Sequence, residues 1–212
     1  MKLVRPAELL SDGRAPFVSS SWADHLARTP PSSSPGLDIV YRTQLGSGSV
    51  VPAGTKAIAA AAGKVLSVRN TERGVVVIID AGRGLSLLYR HLQNPIVKAG
   101  DDVMPAEILA DIGHDPTDRA KKRHLHFELW LQGKRIDPGP LFELLPSVRA
   151  GEPVTKQTSA GDVIRALTRG KRTAAMAKKK KTGAPRPATA PTKGQGLWLL
   201  VIVALLLMSS RN

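Results

Sequence analysis

A mainly β fold, a sandwich or a barrel, is what this sequence predicts, and two observations predict it. From about residue 36 to residue 131 the chain is a succession of short segments dominated by Val, Ile and Leu. Gly and Asp-Gly-like turn signals recur between those segments at close spacing. This is the pattern of sandwiches and barrels rather than of βαβ units. There is no internal repeat.

Residues 1 to about 36 are rich in Ser and Pro, notably TPPSSSP from Thr29 to Pro35. Little regular structure is expected there beyond a short strand at Phe17 to Ser20 and a turn of helix at Trp22 to Arg28. Strands are expected at Gly36 to Tyr41, Thr55 to Ala60, Gly63 to Asn70, Gly74 to Asp80, Gly84 to His91, Ile108 to Ile112 and His124 to Leu131, with Val97 and Val103 flanking a turn. Leu141 to Leu145 reads as a terminal helical turn, and the β pattern stops beyond Pro146. Asp162 to Ala177 reads as a polar or weakly amphipathic helix running into the lysines Lys178 to Lys181. From Thr182 to Gln195 the Pro, Ala, Thr, Gly and Lys composition is that of a flexible linker. The expected layout is a β domain over residues 1–148, a basic helix and linker over 149–195, and a hydrophobic segment over 196–210.

Charge and cysteine content narrow the chemistry. A net charge of +14 over 212 residues points to a polyanionic partner such as nucleic acid, anionic lipid or an acidic wall polymer. Much of that charge lies between Arg165 and Lys193, which favours a basic tail over a basic face on the folded part. The chain has no cysteine, so any zinc site must be built from His and carboxylate. The N-terminus lacks an apolar core of signal-peptide length, and no cleavable signal is expected. Leu197 to Met208 is an uncharged apolar run of about 12 residues, short of the ~20 that a perpendicular membrane helix needs. Flanking Gly and Ser residues extend it, Trp198 suits an interface, and membrane insertion is the expected role. A buried C-terminal helix or an oligomer contact are the alternatives.

The stretch His124 to Pro138, HLHFELWLQGKRIDP, carries the most chemistry. In an extended strand His124, His126 and Glu128 share one face and Leu125, Phe127 and Leu129 the other. Two imidazoles a pleat apart suit nitrogen ligation of a divalent metal, or one ligand beside one general base. The competing reading is a half-buried strand whose polar face happens to hold histidines.

Three further stretches accompany it: PGLDI at Pro35 to Ile39, VPAGTK at Val51 to Lys56, and LYRHL at Leu88 to Leu92 followed by VKAGD. In this order the chain resembles the lysostaphin-like (LytM-type) zinc metallopeptidases, whose hallmarks are HxGxD, YxHL and HxHFE segments. The likeness runs from about Phe17 to Phe142. It implies a compact antiparallel β fold, a Zn2+ cofactor and hydrolysis of peptide bonds in a peptidoglycan stem peptide or cross-bridge. It also implies that Asp38 and His126 are metal ligands and that His91 and His124 are the two catalytic, non-ligand histidines. The chain departs from the pattern at Ser34, which stands where the first ligand histidine is expected. Serine is a poor zinc ligand at neutral pH, so another side chain substitutes or the metal is lost. His25 is favoured as the third ligand because it lies in the same N-terminal segment; His114 is the alternative. Glu128 is expected to orient a neighbour or meet an arginine, and Tyr89 to pack in the core.

Two other functions compete with an active, membrane-tethered peptidase. One is a metal-free relative that binds wall or a partner protein without cutting. The other is a structural membrane protein whose basic segment Arg169 to Lys181 meets nucleic acid or anionic lipid. Lysines flanking the apolar run would keep the β domain on the side opposite the wall. A membrane-associated lysin carried in a bacteriophage virion reconciles that topology with a peptidoglycan substrate better than a host enzyme does.

Overall fold

Alternation of buried and outward residues turns these segments into strands, and in the computed structural model, which describes residues 2–117 and 122–182, eleven of them join one antiparallel sheet. In chain order the elements are β1 (Phe17–Ser20), α1 (Trp22–Ala27), β2 (Leu37–Arg42), β3 (Ser49–Val50), β4 (Lys56–Ile58), β5 (Gly63–Thr71), β6 (Gly74–Asp80) and β7 (Leu85–Gln93). Then come β8 (Asp102–Val103), β9 (Ile108–Ile112), β10 (Leu125–Leu131), β11 (Lys134–Ile136), α2 (Gly139–Phe142) and α3 (Ala160–Thr182). The spatial order is β1-β2-β10-β7-β6-β5-β8, with β11 beside β10, β3 beside β2, and β9 joining β7 to β4.

Strands β1, β6 and β9 fall on the residues expected from sequence, and the other expected strands differ at their ends. Two short strands, β3 and β11, were not expected. β11 forms a hairpin with β10 around Gln132 and Gly133, whose φ values of 53° and 70° are those of a type I′ turn. Closure into a barrel, one of the two expected forms, is not found among the described residues. Alternation specifies which face of a strand is buried, whereas closure depends on register and twist, which alternation does not encode.

The centre of the core is aliphatic around three fully buried large rings. Tyr41, Tyr89 and Phe127 are fully buried with Leu37, Ile39, Leu87, Leu109 and Leu125 around them. Burying a side chain such as Phe127 contributes roughly 1.5–3 kcal/mol. Tyr89 is a core residue as expected, its hydroxyl accepting a hydrogen bond from the Ala60 amide at 2.9 Å. The N-terminal ten residues have no strand, yet Leu3 and Ala7 bridge to Ala61 and Ala57 and both are buried.

Helix α3 is longer than expected and more firmly docked than a weakly amphipathic helix would be. Val163 and Ala166 are buried, with Leu167 packed against the same core. At Gly170 the helix meets Asp137 so closely that a Cβ would lie 2.2 Å from the Asp137 carbonyl oxygen. The Asp137 amide donates to the Gly170 carbonyl at 3.2 Å. Small residues at positions 166 and 170 make that approach possible. The linker and the apolar run 197–208 lie outside the described residues, and no described helix is long and apolar enough to cross a membrane.

Candidate metal centre

Antiparallel register brings the first two groups together. Asp38 on β2 stands directly opposite His126 on β10, and the His126 Nδ1 lies 2.9 Å from Asp38 Oδ1. The two strands approach this closely because position 36 is glycine: a Cβ there would lie 2.6 Å from the Phe127 carbonyl oxygen and 2.8 Å from His126 Nε2. The expected division of β10 holds, with Leu125, Phe127 and Leu129 in the core and His126 and Glu128 on the opposite, also buried, face.

The third group arrives from α1. Ser21 caps this short helix through a reciprocal box with Asp24: the Ser21 side chain accepts from the Asp24 amide and the Asp24 carboxylate from the Ser21 amide. One turn later His25 is 1% exposed, held by the Gly36 amide, which donates to its Nδ1 at 3.2 Å. The Ser32 amide donates to the His25 carbonyl, folding the Ser-Pro loop back over the helix. His25 Nε2 then lies 3.0 Å from Asp38 Oδ2, and the His25 and His126 rings stack at 5.0 Å.

His25, Asp38 and His126 each offer a ligand atom, and those atoms all lie within 4.8 Å of one another. Ser34 and His114 are not in this group, and His114 is exposed. Two imidazole nitrogens and a carboxylate oxygen are a donor set that zinc takes, with a fourth position left for water or substrate. The Nε2 atom of His25 is buried and lies against the Asp38 carboxylate; with Nδ1 accepting from Gly36, the neutral ring carries its proton on Nε2 in this arrangement, and that proton would leave when an ion takes its place. The residues present therefore fit the metal.

His91 and His124 complete the cluster. The His91 and His124 rings lie 4.6 Å apart, and His91 lies 6.0 Å from His126. His91 sits at an irregularity in the β6–β7 pairing with a left-handed φ of 60°, and such bulges re-aim side chains beside functional sites. Its Nδ1 lies 2.9 Å from the Arg73 carbonyl, and the His124 Nδ1 lies 2.9 Å from that of Lys122. A carbonyl only accepts, so both rings donate from Nδ1 and leave Nε2 as the basic nitrogen. Burial, aided by the neighbouring His124, pushes His91 down to about 4, so its ring is neutral near pH 7.

The acidic groups are held ionised. For Asp38 burial opposes ionisation, but the contacts with His126 and His25 outweigh it and hold the carboxyl far below the usual range. Burial works against protonation of His126, yet its contacts with Asp38 and Glu128 raise it overall. Glu128 is fully buried; burial raises it, and the His126 contact with the Arg135 and Arg90 charges bring it down to about 2. Arg90 and Arg135 donate to it at 2.9 and 2.7 Å, Trp130 Nε1 at 3.0 Å, and His126 Nε2 lies 3.5 Å away. Glu128 thus both faces His126 and meets arginines. Sequence reasoning missed Arg28, whose guanidinium lies 3.2 Å from Asp38 Oδ2 and 3.1 Å from Ser20 Oγ. Its spacing of three from His25, one helical turn on, was the available signal.

Comparison with known proteins agrees with this geometry. The model of peptidase family M23 matches residues 42–138. The solved structure of LytU is 30% identical, over 52% of this chain and 73% of that chain, with a TM-score of 0.43. Residues 42–138 of the chain belong to peptidase family M23. Among curated relatives, a Haemophilus influenzae protein described as an uncharacterized metalloprotease is 34% identical over 103 residues, 48% of this chain and 21% of its own length. A lipoprotein NlpD/LppB homolog of Pseudomonas aeruginosa is 34% identical over 87 residues, 40% of this chain and 28% of its own length. The chain therefore spans only about a fifth to a quarter of these relatives. The M23 match takes in His91, His124 and His126 and begins after Asp38, so His25 and Asp38 join the group through the structure of this chain.

Proposed function

We propose that this M23 protein is a zinc-dependent endopeptidase that hydrolyses peptide bonds of bacterial peptidoglycan. The observation that carries the reading is the convergence of five groups in one buried cluster, in which His25 stands beside Asp38 and His126 and would supply the ligand that Ser34 does not. His25, Asp38 and His126 would hold the ion, which when bound supplies Lewis-acid polarisation of the scissile carbonyl and acidification of water. The neutral ring of His91, with Nε2 free of its backbone contact, accepts a proton and returns it to the leaving amine. His124, held in the same tautomer, hydrogen-bonds the developing oxyanion once protonated. Arg90, Arg135 and Glu128 fix the His126 ring from behind. In the same reading the apolar run 197–208 anchors the protein to a membrane, that of a virion in the setting described above.

A second reading, a metal-free module that binds wall without cutting, is favoured by Arg28. Its cation beside Asp38, with the Asp38–His126 contact, lets the cluster satisfy its charges without an ion. Elemental analysis of the purified protein, paired with a wall-digestion zymogram, separates the two. The peptidase reading expects one zinc per chain, lost in His25→Ala and His126→Ala, and zinc retained without digestion in His124→Ala. Folded protein that takes up no zinc would reject it in favour of the binding module.

A further inference from the structure

We infer that Arg28 sets the metal affinity of this centre by competing with the ion for Asp38, an inference that rests on the metal-dependent peptidase reading above. Arg28 is the residue at which α1 ends, its ψ of 155° extended, three positions after His25. Its Nη2 lies 3.2 Å from Asp38 Oδ2 and 3.1 Å from Ser20 Oγ. Ser20 stands opposite Asp38 in the β1–β2 register, and the Ser19 hydroxyl donates to the Asp38 carbonyl at 3.1 Å. Strand pairing thus fixes the carboxylate that Arg28 meets. The oxygen it takes is also the one that faces His25 Nε2, at 3.0 Å. One short helix therefore brings both a metal ligand and a competing cation to a single carboxylate oxygen.

The surroundings of Asp38 make that cation a competitor rather than a support. Its other oxygen faces His126 Nδ1 at 2.9 Å. With Arg28 in place, the buried carboxylate already has a countercharge, so the centre stays neutralised without an ion. A divalent ion on the same carboxylate would stand beside a positive charge, and two cations sharing one anion disfavour each other. The grip is a light one. It rests on one guanidinium nitrogen, whereas a bidentate pair holds more strongly. The Arg28 side chain is 38% exposed against 9% for Asp38 and 1% for His25, so it can withdraw into water while they cannot. Arg90 and Arg135 differ in kind, because they meet Glu128, which is not one of the three grouped ligands.

The test measures the zinc Kd of the full chain by competition with a chromophoric chelator, and the Tm of its metal-free form by calorimetry. Arg28→Gln is expected to bind zinc about two- to tenfold more tightly than the parent. It should also lower the metal-free Tm, because Asp38 loses its countercharge. Arg28→Lys keeps the charge and should stay within about twofold of the parent in zinc affinity. Damage to the fold would loosen zinc, so a merely structural role for Arg28 predicts the opposite sign. Zinc binding unchanged or weaker in Arg28→Gln overturns the inference and leaves the peptidase reading standing. Equal tightening in Arg28→Lys, or an unchanged metal-free Tm in Arg28→Gln, overturns it as well. Zinc taken up by Arg28→Gln but not by the parent supports the inference and rejects the peptidase reading for the parent. No zinc in either protein rejects both.

Discussion

At His91 the backbone takes a left-handed φ of 60°, a conformation that costs a non-glycine residue roughly 1–2 kcal/mol. Asn tolerates that region better than most residues. His91→Asn should therefore leave stability within about 1 kcal/mol in a urea titration while abolishing wall digestion, because the substitute has no basic ring nitrogen. The same ring sets an acid limit on folding. Its value in the folded protein, about 4, lies below the ordinary 6.5, so the unfolded chain binds the extra proton first. The neutral ring's contribution is complete above pH 6.5 and is lost as pH falls toward 4. Glu128 acts in a lower window: held at about 2 against an ordinary 4.5, it stabilises above pH 4.5, and this is lost as pH falls toward 2. Metal-free protein should accordingly lose stability in two acid windows by thermal denaturation, and Glu128→Gln should shrink the lower one, where the depressed Asp38 carboxyl continues to contribute. Glu128→Ala leaves Arg90 and Arg135 without their carboxylate in a poorly solvated site, and should destabilise by about 3 kcal/mol or more in denaturant.

Among the elements, β2 and β10 depend on one missing side chain. Gly36→Ala puts a methyl 2.6 Å from the Phe127 carbonyl oxygen and should push the strands apart. A loss of about 1–3 kcal/mol is expected, with weaker zinc uptake because Asp38 and His126 separate. Calorimetric titration with zinc measures that directly. Helix α3 has an equivalent contact at Gly170, where Ala should undock the helix and expose its amides to hydrogen exchange while wall digestion persists. Such contacts explain what was legible in the sequence. Strands β6 and β9 were readable because apolar runs beside glycines carry a local signal, whereas a shared site for Asp38 and His126 came from the likeness to the metallopeptidases, and the pairing of their strands came from the fold. β3 and β11 were too short to show a period, and the grips from Arg73 and Lys122 are made by carbonyls, which have no residue-type signature. His25 could be proposed because one histidine stood near the gap left at Ser34. Choosing it over His114 needed the fold, which turns one ring inward and leaves the other at the surface.

Over the whole molecule, the mainly β character was readable but its closure was not, since eleven strands of mixed length can be joined in several orders from the same alternation. The net charge of +14 also divides between places. Part of it lies against the buried carboxylates through Arg28, Arg90 and Arg135, and part follows α3 toward the C-terminus, so a pI alone could not have located either. The contact between Asp38 and His126 bridges 88 positions of chain, and β10 enters the sheet between β2 and β7. A nascent polypeptide leaving the ribosome carries His25 and Asp38 early, but cannot form the centre until the last of the central strands has emerged and threaded home. On the peptidase reading, the growing chain therefore stays inert until residue 131 has left the ribosome, long after α1 and β2 have appeared.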